Sequence, residues 1–384
     1  MRRWMRPMGA LLSAALWVGC GIAGPEATDD DQAEDDGAAG VGAGVVGPAT
    51  GSGAGGNPNG TGSGAGHETS GQGTGAGGDP TSGSGAGATT GAGGSASTGA
   101  GGSGGNGPNG CYTEGWDPSA SLADLSSSYS GGQWLGTMLE TLARRYHNGH
   151  VLMDTMKNDP WLTGSFPGYF DLSTWGGMIE SIDTACHEET HGYDFDSALN
   201  TPGDHVYFMG SNLDVVAPKL SGFFARNQIL GLVQQGGSVT SNYDSTYLTG
   251  TQGSYDFIFL ADELTAYING LACAVAVGDE LSQTGFGYSY RDGAASHLYY
   301  LEIYLKVART QYPSLYSQWQ ADPDWQTFVR FSWARGHFWT EESNAYPKLG
   351  INDAAIWQRV DDPTNRQEIQ LFTGEDPTTV ACNP

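Results

Sequence analysis

The chain is short of basic residues. Its 384 positions hold 16 Lys and Arg against 42 Asp and Glu, a formal charge of −26. Such a balance repels phosphate backbones and anionic headgroups, which argues against nucleic acid or a charged membrane surface as partner. Residues 21–110 contain no Lys or Arg at all and hardly a large apolar side chain. A tract with so little apolar area to bury cannot offset its chain entropy. It is expected to be disordered: an acidic Gly/Ser/Ala/Thr linker of low complexity, with no structural repeat. Cysteine is sparse as well. There are five, none in a C-x-x-C pair, which argues against a four-cysteine zinc site. No glycine-rich stretch leads into Lys-Ser or Lys-Thr, so a phosphate-binding loop of that kind is excluded.

The N-terminus has the features of a targeting segment. Arg2, Arg3 and Arg6 precede an apolar stretch over residues 8–18. At about a dozen residues this stretch is shorter than the roughly 20 that span a bilayer, so residues 1–20 read as a signal peptide. Trp17-Val18-Gly19-Cys20 resembles the lipobox of bacterial lipoproteins. That resemblance implies a lipid on Cys20, contact with the membrane through that anchor alone, and an outer-membrane or cell-surface location. Cleavage after Gly21-Ile22-Ala23 is the alternative, and would leave a periplasmic or secreted protein. The remaining cysteines, Cys111, Cys186, Cys273 and Cys382, are even in number, which in an exported chain suggests two disulfides. Cys111 and Cys382 bracket the globular part and are expected to pair. Cys186 and Cys273 sit in apolar helical segments, where free thiols would also be at home.

From residue 111 the composition becomes globular, and residues 111–384 are long enough for one domain with a sizeable core. Apolar residues at helical spacing predict helices over 133–146, 173–193, 220–233, 255–277, 294–310, 324–333 and 353–360, the second capped by Asp171 or Ser173. Short strands are expected at 205–209 and 213–216, and turns over 236–253. His147-Asn-Gly-His150 reads as a turn. The run 255–277 is long and apolar, but Asp256, Asp262, Glu263 and Asn269 interrupt it, so a buried core helix is expected rather than a membrane span. The fold class is therefore mainly α with a small β-sheet (α+β).

One stretch carries chemistry: Cys186-His187-Glu188-Glu189-Thr190-His191. Histidines four apart share one face of a helix and can grip one metal ion. Zinc accepts neutral imidazole and prefers four ligands, so a third protein ligand is needed and the fourth position goes to water. Glu188, between the histidines, is placed to act as general base. It takes a proton from the zinc-activated water that attacks a carbonyl. The bland alternative is a solvated helix face with two surface histidines and two glutamates. Against it, Ile179, Ile182 and Cys186 form an apolar stripe with His187 at its margin.

Glu263 is the candidate third ligand. At helical spacing it lines up with Phe259, Leu260, Tyr267 and Gly270, where a carboxylate needs a cation. Its rival Asp262 shares a polar face with Thr265 and Asn269 and has an exit to water. An arginine is the alternative partner for Glu263. His187, Glu188, His191 and a helix-borne Glu263 resemble the gluzincin metallopeptidases, thermolysin-like in the broad sense. The resemblance implies a zincin-like domain, bound Zn2+, and hydrolysis of a peptide or protein substrate. A metzincin would need Gly at 194 and His at 197, where Asp194 and Ser197 stand. Candidates to stabilise the oxyanion are Tyr193, Tyr267, His297 and His337, with Tyr267, one turn after Glu263, the best placed. Asp183 and Asp194 are candidate partners for the zinc histidines. Two other readings stay open: a non-catalytic surface-tethered binding domain, and a zinc hydrolase acting on something other than peptides.

Overall fold

The structure, a computed structural model, describes residues 105–106, 112–210, 214–283, 287–375 and 377. The expected signal peptide, lipidated Cys20 and Cys111–Cys382 pair lie outside these residues, as does nearly all of the linker. The chain opens with two short antiparallel strands, β1 (Gly105–Asn106) and β2 (Tyr112–Thr113). Helices α1 (Ala123–Ser128), α2 (Trp134–Arg145), α3 (His147–Met156), α4 (Trp175–Glu180) and α5 (Ile182–Asn200) follow. An antiparallel hairpin, β3 (Asp204–Phe208) and β4 (Asp214–Pro218), is paired in the register Val206 to Val216. Short helices α6 (Leu230–Val233), α7 (Ser241–Tyr247) and α8 (Gly250–Gly253) lead to α9 (Phe257–Ala276). Then come α10 (Gly278–Leu281), α11 (Tyr290–Gln311), α12 (Pro313–Gln320), α13 (Pro323–Glu342), α14 (Asp353–Val360) and α15 (Pro363–Thr373). The architecture is mainly helical with a small antiparallel sheet.

Helix α9 is the centre of the fold. The Asp256 carboxylate accepts from the Ile258 backbone N–H at 3.0 Å and caps its first turn. Beyond the cap, apolar residues line nearly every face, so the helix is stable only when surrounded. Its principal neighbours are α5, α11 and α13. It is long and apolar enough to cross a membrane, but most of it lies inside the protein, as a core helix does.

A disulfide joins Cys186 of α5 to Cys273 of α9, with Cα atoms 6.6 Å apart. The two cysteines whose state the sequence left open are thus bonded. The bond spans 87 positions, a closure that stabilises by roughly 4–5 kcal/mol in the chain-entropy account. Gly149 belongs to this contact. A Cβ there would lie 2.8 Å from the Cys273 sulfur and 2.7 Å from the Tyr146 ring. His147-Asn-Gly-His150 is therefore the first turn of α3 rather than a loop: the glycine serves close packing.

Other expectations need correction. The helix foreseen over 173–193 is two. Thr174 caps α4 by accepting from Gly177 N–H at 3.1 Å, and the chain breaks at Ser181 before α5 runs on to Asn200. Gly177 fixes that start, because a Cβ would sit 2.0 Å from the Asp171 carbonyl oxygen. The extension is held by Asp194, which accepts from Phe208 N–H at 2.8 Å while Asn269 donates to Phe208 C=O at 3.2 Å. These bonds pin the hairpin to α5 and α9. Residues 220–233 are helical only from Arg226 onward. Phe224 stacks on Tyr304 and Tyr312 instead, at 3.9 and 4.5 Å between centroids. The turn-rich 236–253 region contains α7 and α8.

Candidate metal centre

Helices α5 and α9 lie side by side, and their facing sides carry the site. His187, Glu188 and His191 project from α5, Asp262, Glu263 and Tyr267 from α9. The α5 face is not solvated: His187 is 5% exposed, Glu188 6% and His191 8%. That burial removes the surface-helix alternative. Glu189, the charged residue within the motif, is buried too, and burial pushes its carboxyl up to about 9. The charges of Asp159 and Glu188 add to the effect of burial, and the carboxyl is therefore neutral near pH 7.

The two imidazoles face each other with Nε2 atoms 3.3 Å apart. Glu263 Oε2 lies 3.9 Å from His187 Nε2 and 3.7 Å from His191 Nε2. These three residues form a group able to hold a metal ion. Neither Glu263 oxygen has a hydrogen-bond partner among the described residues, although the residue is 1% exposed. Burial raises the Glu263 carboxyl to about 7, with His191 pulling against that shift. Burial, with the charges of His191 and His297 added, keeps His187 well below its ordinary value and so neutral.

His191 behaves differently. Burial pulls its pKa down, but Asp262 outweighs burial and carries it up to about 10. The cause is direct, since Asp262 Oδ2 lies 2.8 Å from His191 Nδ1. Asp262 is the functional residue the sequence missed. Its polar neighbours on α9 pointed to water, whereas its carboxylate turns to α5. Asp183 and Asp194 do not take this part. The Asp183 carboxylate meets the Thr184 hydroxyl and Asp194 holds Phe208 N–H and the Thr265 hydroxyl.

Of the four oxyanion candidates, the structure brings two to the centre. The Tyr267 ring meets His187 edge-on at 4.6 Å, and its hydroxyl shares a hydrogen bond with Tyr247 at 2.7 Å. His297 stacks on Tyr267 at 4.5 Å. Gly293 makes room for that ring, as a Cβ there would lie 2.3 Å from it. The Tyr193 hydroxyl donates instead to Asp214 at 2.8 Å, and His337 packs between Trp333 and Trp357. No family model, no curated protein and no solved structure matches this chain. Its function has to be read from the site.

Proposed function

We propose that the chain is a zinc-dependent metallopeptidase, with His187, His191 and Glu263 as metal ligands and Glu188 as general base. One observation carries the reading: two imidazole nitrogens converge with a buried carboxylate that has no hydrogen-bond partner. The donor set fits zinc. Ligands held at 2.0–2.1 Å in a tetrahedron are about 3.3–3.4 Å apart, and two nitrogens and one oxygen leave a position for water. The separations of 3.3, 3.7 and 3.9 Å are close to that spacing. Bound zinc would supply Lewis acidity, toward both the attacking water and the scissile carbonyl.

The chain's own residues have distinct tasks. Asp262 accepts from Nδ1–H of His191, which fixes the ring with Nε2 toward the centre, where a metal ion would displace the Nε2 proton. Glu188, on the same helix between the ligands, takes the proton released when water attacks and passes it to the leaving amine. The Tyr267 and Tyr247 hydroxyls share a hydrogen bond at 2.7 Å; with Tyr247 as its donor, Tyr267 would keep its own proton for the oxyanion. The zincin-like assignment of residues 111–384 is part of the same proposal and rests on α5 and α9.

Metal analysis and peptide cleavage by the full chain test it. The native protein should hold zinc, Glu263→Ala should lose it, and Glu188→Gln should keep it. Cleavage of a mixed peptide library should fall about 10²–10⁴-fold in Glu188→Gln, the range for loss of a general base. A folded, zinc-replete preparation that retains no metal would sink the reading, as would a Glu188→Gln variant that cleaves at the native rate.

A further inference from the structure

Four arginines are buried: Arg145, Arg226, Arg291 and Arg335. Three of them have a carboxylate. Arg145 pairs with Asp279, Arg291 with Asp353 at 3.1 Å and Arg335 with Glu114 at 2.9 Å. Arg226 is 0% exposed and has no ion-pair partner among the described residues. A guanidinium cannot shed its proton, and leaving it buried without an anion is costly.

The side chain is nonetheless held with care. Its backbone N–H donates to Tyr255 C=O at 2.7 Å, Nε donates to Gln252 C=O at 2.7 Å, and Nη2 donates to Gln252 Oε1. The rings of Tyr247 and Tyr255 flank the guanidinium at 5.4 and 5.8 Å. Gly253 lets the short helix α8, which presents Gln252, pack closely, since a Cβ there would sit 2.7 Å from the Leu248 carbonyl. One nitrogen, Nη1, is left without a hydrogen-bond partner among the described residues.

This unsatisfied donor belongs to the metal centre's surroundings. Tyr247, beneath the guanidinium, bonds the Tyr267 hydroxyl, and Tyr267 abuts His187. His297, stacked on Tyr267, donates from Nδ1 to Gly293 C=O at 2.9 Å and has an unpartnered Nε2. Among the charges around Arg226, that of Glu263 acts on it most strongly. A metal ion on Glu263 would claim that charge, and the loaded centre would then lack an anion for Arg226.

We propose that Arg226 is a specificity-determining residue whose Nη1 binds a free carboxylate of the substrate, so that the chain acts on peptides close to their C-terminal end. This rests on the metallopeptidase reading above. The contact is made at Nη1, because Gln252 already takes Nε–H and one of the two N–H groups of Nη2. A substrate amide in the same place would offer Arg226 no negative charge.

The test uses the full chain carrying Glu188→Gln, loaded with zinc, and two sets of N-acetylated random tripeptides, one with free C-terminal carboxylates and one amidated. Calorimetry should show the free acids binding about 10–100-fold more tightly, the span of a hydrogen bond to a charged group. Arg226→Met in the same background should abolish that preference and keep the zinc, and Arg226→Lys should retain part of it. Equal binding of both sets to the Glu188→Gln protein overturns the proposal without needing any change at Arg226. So does Arg226→Met with its preference intact. An Arg226→Met variant that loses zinc assigns the arginine to Glu263 instead. If the Glu188→Gln protein binds no zinc, the metal centre itself is refuted; if it binds zinc but not carboxylates, only the present inference fails.

Discussion

Glu114 and Glu263 are both withdrawn from water, at 5% and 1% exposure, and their surroundings could hardly differ more. The Glu114 carboxylate accepts from Arg335 Nε and Nη2 at 2.9 and 3.2 Å and from the Tyr112 and Tyr146 hydroxyls at 2.9 and 2.6 Å. Trp339 Nε1 at 2.8 Å and the Asn148 amide complete the set. Burial pushes the Glu114 carboxyl up, but Arg335 and these donors hold it below its ordinary value. Glu263 has no donor among the described residues, and burial prevails. The same fold can therefore satisfy a buried carboxylate fully where the position is structural. At Glu263 it supplies no donor among the described residues. Arg335 and Arg226 repeat the contrast in their anions, Arg335 paired with Glu114 and Arg226 with none among the described residues, although each has an Nη1 without a hydrogen-bond partner there.

Breaking the satisfied member should have the largest effect. Glu114→Ala strands the Arg335 guanidinium, and urea unfolding should show a loss of about 3–5 kcal/mol, as for other buried pairs cut on one side. Glu263→Gln should do the opposite to the metal-free protein. A carboxyl raised from 4.5 to about 7 favours the folded state least when ionised. Its penalty is absent below pH 4.5, grows as the pH rises and is complete above about 7. Removing the charge should thus stabilise the metal-free protein at pH 8 by on the order of 3 kcal/mol and leave it unchanged at pH 4. Unfolding curves in EDTA at the two pH values check both the sign and the window. The smallest effect sharpens the comparison from the ligand side. Asp262→Asn should weaken zinc binding about 10–100-fold, as loss of a ligand's hydrogen-bonded carboxylate does. A chelator competition titration measures it, and unchanged affinity would remove Asp262 from the site.

The sequence made the α5 half of the site legible because spacing of four on a helix is a local property. Glu263 was legible for a related reason: an acid among Phe259, Leu260 and Tyr267 is a local anomaly. What crosses between helices was not. Asp262 reaches His191 over 71 positions, and no pattern along α9 reports which way its carboxylate turns. Arg226 fell inside an expected helix, where an arginine passes for a surface residue. The start of α4 was hidden in the same way, since it follows from the contact of Gly177 with the Asp171 backbone rather than from periodicity. The small sheet was foreseen from β-branched and aromatic residues, within a residue or two at each end.

The Cys186–Cys273 bond has a topological consequence. It closes a covalent ring around residues 186–273, and His187, Glu188, His191, Arg226, Asp262 and Glu263 all lie on that ring. A single peptide-bond cut within it, in the β3–β4 hairpin for instance, linearises the ring without parting the chain. Both ligand helices stay tethered through sulfur, whichever enzyme makes the cut. Such a nicked molecule runs as one band on a denaturing gel until the disulfide is reduced, and only then as two.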